Sequence, residues 1–226
     1  MPEDAPKSKI ERTKRFGAEV ILYDRNKGDR EAIAREIAVQ RGAELVPSYE
    51  SDHIVAGQGT IGLEIVQQAK ELGLPPDQVL IGCGGGGISA GSAVAIKALL
   101  PETSVYTVEP EEFDDTARSL RDGVRRKNKE SARSICDALL PETPGELPFA
   151  IHQKLGTTGL VVSDADVKSA IRFAFLHLKI VVEPGGAVSL AAVLAGKIDC
   201  KNKTTAIVLT GGNIDAVFFS EIQNEF

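Results

Sequence analysis

The chain has 226 residues, 42% hydrophobic and 26% charged, with a net charge of −6 and a pI near 5.2. That is an ordinary globular balance, long enough for one large or two small cores, and it excludes an extended nucleic-acid surface. Cys83, Cys136 and Cys200 are odd in number and far apart, and no stretch reaches the ~18 apolar residues of a spanning helix, so neither a disulfide framework, a zinc site nor a membrane partner is expected and a cytoplasmic setting is.

From the amino end, Ala5–Phe16 sets Ile10, Thr13 and Phe16 to one side and reads as a crossover helix leading into a strand at Glu19–Tyr23. A crossover helix needs an upstream strand, and none precedes this one. The pattern then alternates: helix Arg30–Arg41, strand Glu44–Pro47, helix Gly59–Leu72, strand Gln78–Gly82, helix Ser89–Leu99, strand Ser104–Glu109. This βαβ rhythm predicts an α/β fold, an open parallel sheet with helices on both faces and ligands collecting at the carboxyl ends of the strands. Phe113–Leu120 reads as helix. Arg121–Ser134 is basic and weakly patterned and Pro141–Pro148 is proline-rich, so the region predicts a long loop or lid. Beyond it, Leu160–Ser163 predicts a short strand and Ser163 caps a helix to about Lys179 with Asp164 and Asp166 in its first turn. Ala187–Leu194 is a small-residue helix, Thr205–Thr210 a buried strand, and Gly211-Gly212-Asn213 a second glycine turn.

The run Gly82-Cys83-Gly84-Gly85-Gly86-Gly87-Ile88-Ser89-Ala90-Gly91 stands where a strand gives way to a helix. Consecutive residues without Cβ atoms let several backbone N–H groups face one anion, and the helix adds its positive end, so a phosphate needs no Lys or Arg. Two other readings stay open on these residues. One is a tight strand-to-helix turn. The other is a dinucleotide fingerprint, since Gly82, Gly84 and Gly87 fit Gly-x-Gly-x-x-Gly and Glu109 follows about 20 residues on.

Taken in order, Met1-Pro2-x-x-Ala5-Pro6-x-x-Lys9, Gly17-Ala18-Glu19-Val20, Ala56-Gly57-Gln58-Gly59-Thr60-Ile61, the four glycines, Val108-Glu109-Pro110, Val182-Glu183-Pro184-Gly185-Gly186-Ala187 and Thr210-Gly211-Gly212-Asn213 resemble the pyridoxal-phosphate-dependent serine/threonine dehydratases, relatives of serine racemase. The match covers essentially the whole chain and is weakest over Arg121–Pro148. It implies a fold-type II large domain plus part of a small domain, and pyridoxal phosphate in place of a dinucleotide. Gly84, Gly85, Gly86, Gly87 and Ile88 then match the phosphate loop, and Thr210 the hydroxyl that meets the pyridine nitrogen. Tyr49 matches a pocket position where serine racemase has Asn, Asp137 an acidic residue on the substrate side, and Glu183 a carboxylate close to the cofactor. Glu183 reads equally well as a helix N-terminal charge. Glu109 and Asp115, with the carbonyl of Phe113, match a cation site whose hard oxygens suit Mg or Ca; the same residues also read as a plain acidic helix start. His53, His152 and His177 show no ligand spacing and read as surface or packing residues.

The family's Schiff-base lysine, in a Ser-x-Lys-x-Arg element, and its Ser-x-Gly-Asn substrate loop have no counterpart; Ser8-Lys9-Ile10-Glu11-Arg12 sets its lysine one place too early. The resemblance therefore implies the carboxyl-terminal two thirds of a dehydratase, with residues 1–52 a remnant of the small cofactor domain and 53–226 the large domain. Such an enzyme would deaminate L-threonine or L-serine to a 2-oxo acid, with negligible activity expected from this polypeptide alone. Its partners would be an amino acid and either further copies of itself or a complementing amino-terminal fragment. A non-catalytic phosphate-binding or interaction module is the alternative.

Overall fold

The structure is a computed structural model that describes residues 1–24 and 27–225. It divides into two compact units, Met1–Pro47 with Asn213–Phe226, and Ser48–Gly212. In the first, α1 (Lys7–Arg15) follows Pro6, and α2 (Arg30–Arg41) is capped by the Asp29 carboxylate, which accepts from the N–H groups of Glu31 and Ala32 at 2.9 and 3.1 Å. Such a cap satisfies two of the four donors that a helix start leaves open.

Ser48–Gly212 carries the sheet. Its elements run α3 (Asp52–Leu72), β1 (Gln78–Gly82), α4 (Gly87–Leu99), β2 (Ser104–Pro110), α5 (Asp115–Asp122), a 3₁₀ turn at Asp137–Leu139, α6 (Glu146–Leu155), β3 (Thr158–Val162), α7 (Asp164–Phe173) continued by a π turn to Leu178, α8 (Pro184–Leu194) and β4 (Thr205–Ile207). Helix α9 (Ala216–Asn224) returns to the first unit. The strands are parallel throughout, in the order β3-β2-β1-β4. The expected α/β architecture, an open parallel sheet between helices, is present.

Alternation along β1 decides what each face holds. Val79 and Ile81 join Ala93, Ile96 and Val105 in a buried cluster with Ile65 and Val66 of α3 packed on it. On the opposite face Gly82 meets Val188 of α8, a helix buried from Pro184 to Ala192 and built from small and apolar residues on every side. Of the glycines in the Ala56–Ile61 motif, Gly59 faces the crossing with α4, where a Cβ would stand 3.2 Å from the Gly91 carbonyl, while one on Gly57 would meet nothing within 4 Å. A Cβ on Gly91 of α4 would run into the Val55 carbonyl and stand 2.8 Å from the Gly59 nitrogen, and one on Gly62 would stand 2.5 Å from the Ser92 carbonyl, so α3 and α4 cross backbone against backbone.

Several expectations are corrected. Glu19–Tyr23 and Glu44–Pro47 form no strands: the first makes a single bridge, Pro2 to Tyr23, and neither has a ladder to join. An extended run becomes a strand only when a neighbour accepts its hydrogen bonds, which β propensity alone cannot supply. Helix α6 begins inside the expected loop, at Glu146, because Pro148 falls in the first turn where its missing N–H costs nothing. The strand expected over Thr205–Thr210 pairs over Thr205–Ile207 and is half-buried, lying at the edge of the sheet. Ser163 and Asp166 close the expected cap of α7 as a reciprocal capping box.

Candidate cofactor site

Pairing of β1 with β2 continues one residue past Gly82, through the Cys83 N–H to the Val108 carbonyl at 2.9 Å. The chain then turns. Gly86 takes φ 96°, a left-handed value that glycine adopts without strain, and α4 starts at Gly87 with no side-chain cap. Among the described residues nothing accepts from the N–H groups of Gly85, Gly86, Gly87 and Ile88. A helix start with four such donors and no neutralising side chain is the arrangement that binds an oxyanion.

Walls close on the turn from three directions. The Tyr49 ring lies over Gly85, so that a Cβ there would collide with it, and a Cβ on Gly87 would stand 2.9 Å from the Tyr49 Cβ. A Cβ on Gly86 would stand 2.7 Å from Pro148, and one on Gly84 3.3 Å from the Ala138 carbonyl and from Leu139. Packing thus demands the glycines as much as an anion would. Glu50, next to Tyr49, accepts from the N–H groups of Glu146 and Leu147 at 2.8 Å each and so caps α6 against the same corner.

Thr210 lies just beyond β4, at the same edge of the sheet, since β4 runs parallel to β1 in direct register with it. Its half-buried position is set by backbone contact: the Thr210 carbonyl presses on Gly186, and the Glu183 N–H donates to the Gly211 carbonyl at 3.2 Å. The Glu183 carboxylate rests against Gly211, at the head of α8. Asp137 opens the 3₁₀ turn whose Leu139 touches Gly84 and Gly185. The two glycine turns, the head of α8 and the 3₁₀ turn therefore converge, bringing Gly84–Ile88, Tyr49, Asp137, Glu183 and Thr210 to the carboxyl edge where open parallel sheets take ligands.

Glu109 and Asp115 meet at the start of α5. Fully buried Glu109 accepts from Thr116 N–H at 2.8 Å and Ala117 N–H at 2.7 Å, one bond to each carboxylate oxygen. Asp115, also buried, accepts from the Asn128 amide at 2.5 Å through Oδ1, while its Oδ2 has no partner among the described residues. Burial, with each carboxylate near the other, raises the Glu109 pKa well above the ordinary range; burial first of all raises that of Asp115 to about 7. Among the described residues no three His, Cys, Asp or Glu side chains form a metal-holding group. Phe113, its side chain buried, lies between the two carboxylates in sequence.

A family model described as "Pyridoxal-phosphate dependent enzyme" matches residues 1–211. The chain belongs to that family. Among curated relatives, serine racemase of Schizosaccharomyces pombe is 39% identical over 215 residues, which cover 95% of this chain and 65% of that protein. L-threonine ammonia-lyase of Thermotoga maritima is 37% identical over 225 residues, covering 100% of this chain and 55% of that protein. Among solved structures, the threonine deaminase of T.th. superposes with a TM-score of 0.84 at 38% identity, covering 92% of this chain and 67% of that one. Maize serine racemase gives 0.86 at 30% identity, covering 97% and 67%. The chain spans about two thirds or less of the length of these curated relatives.

Reading the sequence of this pyridoxal-phosphate-dependent family member misses His152, Ser89 and Glu50. His152 is 1% exposed and its Nε2 lies 2.8 Å from the Ser89 hydroxyl, immediately behind the glycine turn. Burial alone lowers its pKa to about 4, so the imidazole is neutral. The signal in the sequence was weak: His152 follows Pro148 by four residues, one helical turn, and shares its face of α6.

Proposed function

We propose that this chain is the cofactor-holding portion of a pyridoxal-phosphate-dependent ammonia-lyase that acts on a β-hydroxy amino acid, serine or threonine. The observation that carries the reading is the row of unaccepted N–H groups from Gly85 to Ile88 at the head of α4, beside the Thr210 turn. These residues fit the group: a dianionic phosphate would complete donors that the protein leaves open, and the helix end favours its charge. When bound, pyridoxal phosphate supplies an electron sink for charge developing at the substrate Cα.

What the chain's own residues contribute follows from their chemistry. Gly85 to Ile88 would hold the phosphate through their backbone N–H groups. Thr210 offers a hydroxyl, which can donate to a neutral pyridine nitrogen and, unlike a carboxylate, does not favour protonating it. That would moderate the sink, which suits loss of a β-hydroxyl. By the resemblance, Glu183 would lie close to the cofactor and Asp137 on the substrate side. Lys97 donates to the Pro101 carbonyl, Lys127 to the Glu142 carboxylate, Lys179 to the Leu176 carbonyl, and Lys203 reaches Gln78 at the opposite end of β1. The family resemblance assigns the covalent anchor to the lysine of a Ser-x-Lys-x-Arg element, which these 226 residues do not contain.

A cation at Glu109, the Phe113 carbonyl and Asp115 is the second part of the proposal, favoured by one observation, the buried Asp115 Oδ2 without a partner. A divalent ion there would compensate two carboxylates that burial otherwise disfavours.

Titration with pyridoxal phosphate should give weak, reversible binding that inorganic phosphate competes away. Gly86→Ala, strained at φ 96° and blocked by Pro148, should weaken it about tenfold or more. Equal affinity in the variant would remove the turn from the site, and competition by a nicotinamide dinucleotide at equal strength would favour the dinucleotide reading. The chain alone should form no 2-oxo acid from serine or threonine; steady turnover that disappears when one of its own lysines is replaced would overturn the assignment of the anchor. Calcium or magnesium should raise the melting temperature by a few degrees, roughly the gain expected for an ion well above its Kd. Asp115→Asn should abolish that gain, and a gain of the same size in the variant would rule the site out.

A further inference from the structure

A trans peptide unit is planar, so fixing the direction of one carbonyl fixes the N–H of the next residue. In a run of glycines that direction is otherwise soft. Two of the peptide planes in the turn are pinned from behind, one by Gly145, which precedes α6, and one by the first turn of α4 itself, with His152 of α6 behind it. The Gly145 N–H donates to the Gly85 carbonyl at 3.1 Å, which fixes the Gly86 N–H. The Gly86 carbonyl, which shares its plane with the Gly87 N–H, accepts from the Ala90 N–H at 2.8 Å and has the Ser89 hydroxyl 3.1 Å away as a second donor, and His152 Nε2 lies 2.8 Å from that hydroxyl.

Ser89 has one hydrogen to give, and Gly86 O, His152 Nε2 and Cys83 Sγ at 3.4 Å all stand within its reach. The unpartnered atom decides. His152 Nδ1 is buried with no hydrogen bond. If Ser89 donated to Nε2, Nδ1 would carry a buried N–H with no acceptor, the rarer and costlier outcome. With the proton on Nε2, His152 donates to Ser89, Ser89 donates to Gly86 O, and only a lone pair is left over. We propose that His152 is a positioning residue of the glycine turn, acting through Ser89 as a second restraint, beside the Ala90 N–H, on the Gly86 carbonyl and thereby on the aim of the Gly87 N–H. This rests on the reading of the turn as a phosphate cradle. Because the imidazole is neutral, its contribution is orientation and adds no charge of its own.

The test uses the 226-residue chain, with inorganic phosphate and pyridoxal phosphate as probes and the amide resonances of Gly85 to Ile88 as the readout. His152→Leu, which keeps bulk and removes the donor, should weaken both probes about tenfold, the worth of one well-placed hydrogen bond. His152→Gln, whose amide can still reach Ser89, should stay within about threefold of the parent. Ser89→Ala should lose the same tenfold, and Ser89→Ala with His152→Leu should lose no more than either alone. Unchanged affinity in folded His152→Leu, equal loss in the Leu and Gln variants, or additive losses would each overturn the proposal. Should His152→Leu fail to fold, retained affinity in Ser89→Ala would overturn it. Should the parent bind neither probe, the phosphate reading fails, and the positioning role is then decided without ligand: the Gly87 amide shift should be preserved in the Gln variant and displaced in the Leu variant, and no displacement would contradict it.

Discussion

Backbone can approach backbone only where no Cβ intervenes, and the Ser48–Gly212 unit is organised around that constraint. Gly91 lets α4 lie directly on α3, and Gly186 lets the Thr210 turn lie on the head of α8. Gly85 and Gly86 admit a tyrosine ring and a proline to the end of β1. The contacts gather at a four-stranded parallel sheet, and among the described residues the donors at the head of α4 find no acceptor at its carboxyl edge. The glycines therefore serve two ends at once, dense packing on one side of the turn and an open face on the other.

Buried polar groups around this edge divide by how they are satisfied. Glu109 spends both oxygens on the start of α5 and so works as a helix cap whether or not a cation is near. Asp115 is tied at one oxygen by Asn128, itself held by Arg118 at 2.5 Å, and keeps the other bare. His152 likewise keeps one nitrogen bare. Bare buried atoms are costly to fold; Thr107 Oγ1 and Ser189 Oγ are bare as well, and the Asp115 and His152 atoms stand on either side of a network that runs from Ser89 through Cys83 to Thr116.

The sheet was legible because β1, α4 and β2 announce themselves by local pattern, an apolar run closed by glycine and then an Ala-rich helix. Glu19–Tyr23 shows the limit: its composition suits a strand, but a strand is a relation between two segments and the partner was never in its own sequence. Helix α6 was hidden by Pro144 and Pro148, which read as loop punctuation until the second is seen in a first turn. Of the site, the glycine turn was visible as a motif, whereas Tyr49, Asp137, Glu183 and Thr210 were placed only by family resemblance. His152 was invisible as more than packing, since its partner Ser89 lies 63 residues away and no spacing rule joins them.

The most direct measurement of the central claim is the amide spectrum of the chain as pyridoxal phosphate is added. The largest changes should fall on Gly85, Gly86, Gly87 and Ile88, with smaller ones at Thr210 and Gly211, and inorganic phosphate should reproduce the first group without the second. Changes confined to the basic surface of α1 or of residues 121–129, with the glycine turn unmoved, would contradict it.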